Sequence, residues 1–238
     1  ALLNRLADEF SNELNTLGVR VAKLEDRVGN VKVTGDARLR YQDAEHAKSK
    51  FDARARVQFN AKVNDKTEAV VRVKGNYEFG DSTKGADAKI DRAYVDHKFG
   101  NHVSAKGGRF QQTIGSGLMY DDTFDGAQLN VGNDKVQVQG AYGYMVDGAA
   151  AGNSKSDNPS VAYVGVKGKV GQESTVGGFY SKLSSGNLNH NGATVTSDSQ
   201  DVYGFNADFR KDKVWVGGEW LKASNVNDSQ AWTAGVGY

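Results

Sequence analysis

Histidine, serine and lysine are three of the side chains with which this 238-residue chain, which lacks cysteine, could perform catalysis. The four histidines stand at positions 46, 97, 102 and 190, without the spacing of a metal site, and scattered surface histidines are the simpler interpretation. Gly115-Ser116-Gly117 lacks the Gly-x-Ser-x-Gly frame of a nucleophile elbow, and Lys84 precedes the glycine that it would follow in a phosphate-binding loop. The sequence therefore predicts a protein that is not an enzyme and holds no cofactor and no metal.

Basic side chains gather in the first third of the chain, although the chain as a whole is nearly neutral. It has 30 lysines and arginines against 29 aspartates and glutamates, so its charge gives no sign of a nucleic-acid partner. Between positions 32 and 78, polar residues alternate with apolar ones, and the basic residues outnumber the acidic ones. We interpret six of them as the wall of a water-filled pore: Arg38, Arg40, Arg54, Arg56, Arg72 and Lys74.

The segment 112–125 is the acidic counterpart, because it holds three aspartates and no basic residue. Acidic groups that face a basic wall set up a transverse field, which orients polar solutes in a narrow passage. We expect the segment to fold into the pore as a constriction loop, with the candidate residues Tyr120, Asp121, Asp122 and Asp125. In the alternative, these aspartates are solvated and the arginines pair with neighbouring carboxylates on the wall. The basic excess predicts a mild anion preference or poor selectivity.

Strict alternation of apolar and polar residues begins at Val31 and indicates β-strands rather than helices. Soluble strands have about 5–6 residues, whereas a tilted transmembrane strand needs about 9–11, and the first three runs, of about 11 to 13 residues, have the greater length. The sequence predicts an antiparallel transmembrane β-barrel over residues 31–238. Its twelve strands are 31–41, 51–63, 69–79, 89–99, 102–111, 125–132, 135–145, 160–170, 173–183, 201–210, 213–223 and 230–238.

The connections between these strands are alternately long and short. Long polar segments follow the odd strands, near 42–50, 80–88, 112–124, 146–159, 184–200 and 224–229, and tight turns follow the even strands. Outer-membrane barrels have short periplasmic turns and longer outer loops, so both termini are expected in the periplasm. Aromatic residues fall at the outer strand ends (Tyr41, Phe51, Tyr77, Phe79, Tyr142, Tyr144, Tyr203, Trp220) and at the inner ends (Phe99, Phe209, Tyr238), as in the girdles of such barrels.

The first 29 residues have a different period, because apolar residues alternate at spacings of four and three. They are Leu3, Ala7, Phe10, Leu14, Leu17, Val21, Leu24 and Val28. A narrow stripe of this kind is typical of the seam of a coiled coil. We therefore predict an α-helical coiled-coil stalk over residues 1–29, which hangs below the barrel in the periplasm. An amphipathic helix packed on its own chain is the alternative.

Three segments carry a resemblance to a known family: Leu3-Asn-Arg-Leu-Ala-Asp-Glu-Phe10, Thr34-Gly-Asp-Ala-Arg-Leu-Arg-Tyr41 and the segment from Gly108 to Gly126. The resemblance is to the OmpM-type porins of Negativicutes, which join an S-layer homology domain, a coiled-coil stalk and a porin barrel. It implies a homotrimeric general porin, embedded in outer-membrane lipid, for passive diffusion of small hydrophilic solutes and ions. It also implies tethering of the membrane to peptidoglycan or a secondary cell-wall polymer through the S-layer homology domain.

Two departures from the family bear on that expectation. The S-layer homology domain, expected ahead of Ala1, is not in this sequence, and the family's barrels have sixteen strands against the twelve predicted here. We interpret the chain as part of a larger barrel, with a complete twelve-stranded barrel as the alternative. A soluble or surface β-rich adhesin with a trimeric coiled-coil stalk is the alternative function, in which the apolar strand faces pair with each other.

Overall fold

The computed structural model describes residues 29–43, 45, 49–80, 86–147, 158–184, 186–190, 193–197, 199–224 and 229–238. These ranges contain fourteen strands: β1 (Val31–Gln42), β2 (Lys50–Asn64), β3 (Thr67–Phe79), β4 (Asp87–Lys98), β5 (Val103–Ile114), β6 (Tyr120–Gly132), β7 (Val136–Met145), β8 (Ser160–Val170), β9 (Ser174–Leu183), β10 (Gly186–His190), β11 (Ala193–Ser197), β12 (Gln200–Lys211), β13 (Val214–Ala223) and β14 (Gln230–Gly237). No helix within them is long and apolar enough to cross a membrane. The predicted stalk lies outside the described residues, apart from Gly29.

Twelve of the strands form one antiparallel sheet, in which β1 to β9 pair in chain order and β12, β13 and β14 follow. β10 and β11 form a separate hairpin within the connection 184–200. The predicted antiparallel sheet of twelve strands is thus confirmed. The predicted closure into a barrel is not present, since β1 and β14 stand at the two ends of the strand order and do not pair with each other among the described residues. The described sheet is open because each edge strand is hydrogen-bonded on one side only.

The pairing register separates apolar from charged side chains onto the two faces of the sheet. Val57 on β2 lies opposite Val73 on β3, while their neighbours Arg56 and Lys74 lie opposite each other on the other face. This separation follows from the period of two along each strand, because successive side chains point to opposite faces. We call the two surfaces the apolar face and the polar face.

The connection predicted over residues 112–124 is much shorter in the structure. β5 and β6 pair as far as Ile114 and Tyr120, which leaves a turn of residues 115–119. The strands are longer than predicted, and in the added part of β5 buried and exposed side chains still alternate, since Phe110, Gln112 and Ile114 are buried. Gly115 and Gly117 have φ angles of 65° and 103°, a backbone conformation that glycine adopts without strain and that closes the turn.

The end of this hairpin departs from the rest of the sheet. β4 pairs with β5 only as far as Arg109, and β7 pairs with β6 only from Phe124 onwards. Apart from the pair of Phe110 with Phe124, residues 110–123 therefore form ladder pairs only with each other, and we call them the 110–123 hairpin. Gly108, with a φ of 124°, lies where β5 leaves β4.

An apolar cluster lies on the polar face, where the alternation alone predicts none. One side of the 110–123 hairpin packs against β7, β8, β9 and β12, and the buried cluster contains Phe110, Ile114, Tyr120, Phe124, Ala141, Met145, Val161, Phe179 and Val202. The hairpin thus gives the sheet a small hydrophobic core on the side where its charged residues also lie.

The packing of Phe124 on two glycines gives a testable prediction. Gly126 and Gly143 are paired across β6 and β7, and a Cβ atom on Gly143 would lie 2.6 Å from Cα of Gly126 and 2.7 Å from the Phe124 ring. We expect Gly143→Ala to lower the free energy of unfolding by roughly 1–3 kcal/mol through overpacking. Gly140→Ala on the same strand is the matched control, because the atom nearest to its Cβ would be the carbonyl oxygen of Tyr163 at 3.9 Å, an ordinary van der Waals contact. Urea unfolding followed by tryptophan fluorescence measures both variants, and equal effects would contradict the packing described here.

Candidate functional site

The basic residues predicted as a wall lie on the polar face of β1, β2 and β3. The register places like charges directly opposite each other in three pairs: Arg38 with Arg54, Arg56 with Lys74, and Arg72 with Arg92. Like charges in directly opposite positions destabilise a sheet, so carboxylates must lie between them. Arg92 on β4 is a member of this set that the sequence analysis missed.

Three aspartates on the same face supply the negative charge. Asp52 binds Arg38 and Arg40, Asp36 binds Arg54 and Arg56, and Asp91 binds Arg72. The bond from Arg72 to Asp91 is bidentate, at 2.9 and 2.8 Å, and Asp91 is brought there by a register shift of β4 between Arg92 and Ile90. These bonds join five of the six predicted wall residues, Arg38, Arg40, Arg54, Arg56 and Arg72, into a ladder of paired charges, as in the alternative that the sequence left open.

Arg92 connects this wall to the 110–123 hairpin. It is only 8% exposed, and it donates to Oγ1 of Thr123 at 2.8 Å, to Oε1 of Gln111 at 3.2 Å and to the carbonyl oxygen of Asp91 at 2.7 Å. The side of the hairpin that carries Gln111 and Thr123 is thus turned toward the basic wall. Its other side holds the apolar cluster.

The three aspartates predicted to face the wall have nearer partners. Asp121 accepts a bond from Oγ1 of Thr113 at 2.7 Å, and Asp125 accepts two from Arg109 at 2.7 and 2.6 Å. Asp122 accepts the backbone N–H of the next residue at 2.7 Å. Among the described residues, none of the three bonds to the six predicted wall residues, because each has a closer donor: a register partner for Asp121 and Asp125, and the next residue along the chain for Asp122. The fourth candidate, Tyr120, is buried in the apolar cluster.

A glutamate on a distant strand holds the turn of residues 115–119. Glu219 on β13 is 3% exposed, and its two carboxylate oxygens accept the backbone N–H groups of Ser116 at 3.0 Å and Leu118 at 2.9 Å. A Cβ atom on Gly115 would overlap Oε1 of Glu219 and would lie 2.7 Å from the Phe179 ring, so only glycine fits there. The sheet is therefore curled enough for β13 to meet the hairpin of β5 and β6 over the polar face. Sequence reasoning missed this contact, since a lone glutamate on a strand carries no motif.

A cavity of about 610 Å³ lies beside this turn on the polar face. The turn contributes Gly115 and Ser116, and the remaining lining comes from β5 to β9 and β12 and from the β8–β9 turn. The polar face is thus divided by the 110–123 hairpin, with the charge ladder on one side and this cavity on the other.

No known family model and no curated protein sequence matches this chain. Among solved structures, the chain is similar to Salmonella typhi OmpF in complex with daunomycin, at 12% identity and a TM-score of 0.46, over 88% of this chain and 86% of that one. It is similar to a triple mutant of Rhodopseudomonas blastica porin, at 11% identity and a TM-score of 0.45, over 87% and 89%. It is also similar to Pseudomonas aeruginosa OccD3, at 12% identity and a TM-score of 0.46, over 81% and 57%.

The Glu219 contact predicts slow hydrogen exchange at the turn. Bonds to a charged acceptor contribute about 1.5–3 kcal/mol, so Glu219→Ala should speed exchange of the Ser116 and Leu118 amides by roughly 10- to 100-fold. Asp201→Ala is the control, because Asp201 binds Tyr180 and not the turn. Exchange followed by mass spectrometry on the peptide that spans 112–122 measures both variants. Unchanged exchange in Glu219→Ala would show that other contacts hold the turn.

Proposed function

We propose that this chain forms a porin-type β-barrel in an outer membrane, through which small hydrophilic solutes and ions diffuse passively. The observation that carries the proposal is the exposure of the apolar face along the whole sheet. Val57 is 42% exposed, Phe205 60% and Trp232 74%. A water-soluble monomer rarely exposes a continuous apolar surface of this extent, whereas lipid would cover it. The polar face then lines an aqueous passage.

The lengths and ends of the strands support the same function. β2 has 15 residues and β3 has 13, enough to cross a bilayer in which a tilted strand needs about 9–11. At one end of these strands Phe51 is paired with both Tyr41 and Phe79, and its ring centroid is 4.6 Å from that of Phe79. Aromatic rings at this level fit the interface between lipid and water.

Closure of the sheet completes the proposed barrel. Open edges leave backbone N–H and C=O groups unsatisfied, at a cost of several kcal/mol for each group inside lipid. In an antiparallel sheet of twelve strands the first and last strands run in opposite directions, so β1 and β14 can pair by the pattern that the other strands use. In the membrane we therefore expect a closed barrel, of these twelve strands or of more.

The 110–123 hairpin narrows the proposed passage. It crosses the polar face from β5 and β6 to Glu219 on β13, and Arg92 holds its other side. We propose that the six predicted wall residues line the pore: Arg38, Arg40, Arg54, Arg56, Arg72 and Lys74. Asp121, Asp122 and Asp125 would line the constriction. The backbone turn itself is the part that extends farthest across the passage.

The resemblance to OmpM-type porins extends the proposal beyond the barrel. Residues 1–29 would form the periplasmic coiled coil of a homotrimer, with the seam residues Leu3, Phe10, Leu14, Leu17, Val21, Leu24 and Val28. Through an S-layer homology domain, such a stalk would tether the outer membrane to peptidoglycan or a secondary cell-wall polymer.

Planar-bilayer recording tests the pore and the trimer together. The detergent-purified chain should give conductance in three equal steps, and a variant without residues 1–28 should give single steps of the same size. A chain that stays soluble without detergent and gives no conductance would refute the porin and favour the adhesin. Three-step conductance that persists without residues 1–28 would refute the role of the stalk in trimerisation.

The selectivity of the pore tests the basic wall. Reversal potentials in a salt gradient should show a mild anion preference, because basic residues exceed acidic ones on the polar face of β1 to β3. Replacing Arg54 and Arg56 by glutamine leaves Asp36 without its partners and should lower the anion-to-cation permeability ratio by roughly twofold or more. Lys182→Gln on β9 is the control, because Lys182 stands two residues after Tyr180, an exposed residue of the apolar face that is paired with Tyr203. A strong cation preference of the unmodified pore would contradict this assignment.

A further inference from the structure

The cavity beside the 115–119 turn differs in chemistry from the rest of the polar face. Four primary amides line it: Asn130 on β6, Gln137 and Gln139 on β7, and Asn206 on β12. Hydroxyl groups of Thr113 and Thr175 add to them. Amides and hydroxyls both donate and accept hydrogen bonds, whereas the charge ladder across the hairpin offers mostly cationic donors and their carboxylates.

The charges at the border of the cavity cancel. Nε of Arg210 is 2.7 Å from a carboxylate oxygen of Asp208, so this pair is neutral as a unit. The lining contains one further residue of each sign, Lys167 and Glu173. The cavity therefore offers no net attraction to an anion or a cation.

The amides are connected in a chain that keeps hydrogen-bonding capacity in reserve. Gln112 donates to Oε1 of Gln139 at 2.9 Å, and Gln139 donates to Oδ1 of Asn130 at 3.0 Å, which also accepts from Gln128 at 2.9 Å. The NH₂ groups of Gln139 and Gln128 each have a second hydrogen, whereas that of Gln112 also donates to the carbonyl oxygen of Thr113 at 3.0 Å. At the Gln112 end of this series of hydrogen-bonded amides, the buried Oε1 of Gln112 has no hydrogen-bond partner within the described part of the protein.

Aromatic rings form another part of the lining. Tyr163 and Phe179 both face the cavity, with ring centroids 6.3 Å apart and ring planes at 41° to each other. Their apolar faces complement the C–H surfaces that a polyol or a sugar ring presents between its hydroxyl groups. A cavity volume of about 610 Å³ lies within the range of about 300–1,000 Å³ that is typical of small-ligand sites.

We propose that this cavity is a binding subsite for neutral polyhydroxylated solutes of the size of a mono- or disaccharide. The inference rests on the proposed function, because the solute reaches the cavity through the pore. The amides replace the water that such a solute loses, and the cancelled charges disfavour ionic competitors.

Current block in planar bilayers tests the subsite, with maltose as the neutral probe and gluconate as a charged polyol. Maltose should reduce the ionic current of the unmodified chain in a saturable way, and gluconate should not. Gln139→Leu removes two amide bonding groups and should raise the half-blocking concentration of maltose by about fivefold or more. Gln58→Leu is the matched control, because Gln58 lies on the polar face beside the charge ladder, outside the cavity.

Asn206→Ala is a second cavity variant, for use if Gln139→Leu does not insert, and it should weaken the block in the same direction. If the channels open but maltose does not block them saturably, the subsite is overturned and the porin stands. The same holds if Gln58→Leu and the cavity variants change the half-blocking concentration of maltose equally. The absence of any channel would overturn the proposed function itself.

Discussion

The separation of apolar and charged side chains onto two faces of one sheet is the constraint on which the rest of this structure depends. A strand has only two faces, so once Val57 and its neighbours occupy one, every charge of β1 to β3 must share the other. Crowding of like charges then follows, with Arg38 opposite Arg54 and Arg56 opposite Lys74. The interleaved aspartates are the local solution, since bidentate bonds between arginine and carboxylate combine charge neutralisation with fixed geometry.

A sheet of this kind has no ordinary hydrophobic core, and the 110–123 hairpin supplies a small one. Phe110 and Ile114 on its apolar side are buried in one cluster with Met145 and Val161. On its polar side, Arg92 donates hydrogen bonds to Thr123 and Gln111. Burial of the Glu219 carboxylate is tolerated at the tip because two backbone N–H groups bind it. The hairpin stays over the polar face because its apolar side packs in the apolar cluster and its polar side bonds to Arg92 at the charge ladder.

The sequence predicted those features that depend on local periodicity. Twelve strands and their short turns follow from alternation and from breaks that contain glycine, asparagine or aspartate, and both are present in the sheet. Arg109 and Asp125 stand equally far from Gly117 along the chain, so a hairpin centred there pairs them, whereas the polar character of the segment predicts a loop. The contact between Glu219 and Ser116 spans 103 residues and carries no local signal. Only the curl of the whole sheet brings the two together.

The division of the polar face by the hairpin has a consequence for solutes in the proposed pore. Ions are stabilised by the charge ladder, where a field extends beyond any one pair because basic residues are in excess. A neutral polyol gains nothing from that field and must replace its hydrogen bonds to water one by one. The amides around Gln139 can make that replacement, since each of them both donates and accepts. In a narrow passage that carries both ions and neutral polyols, a charged wall and a separate amide-lined wall therefore each match one kind of solute, whereas a single wall of intermediate polarity matches neither.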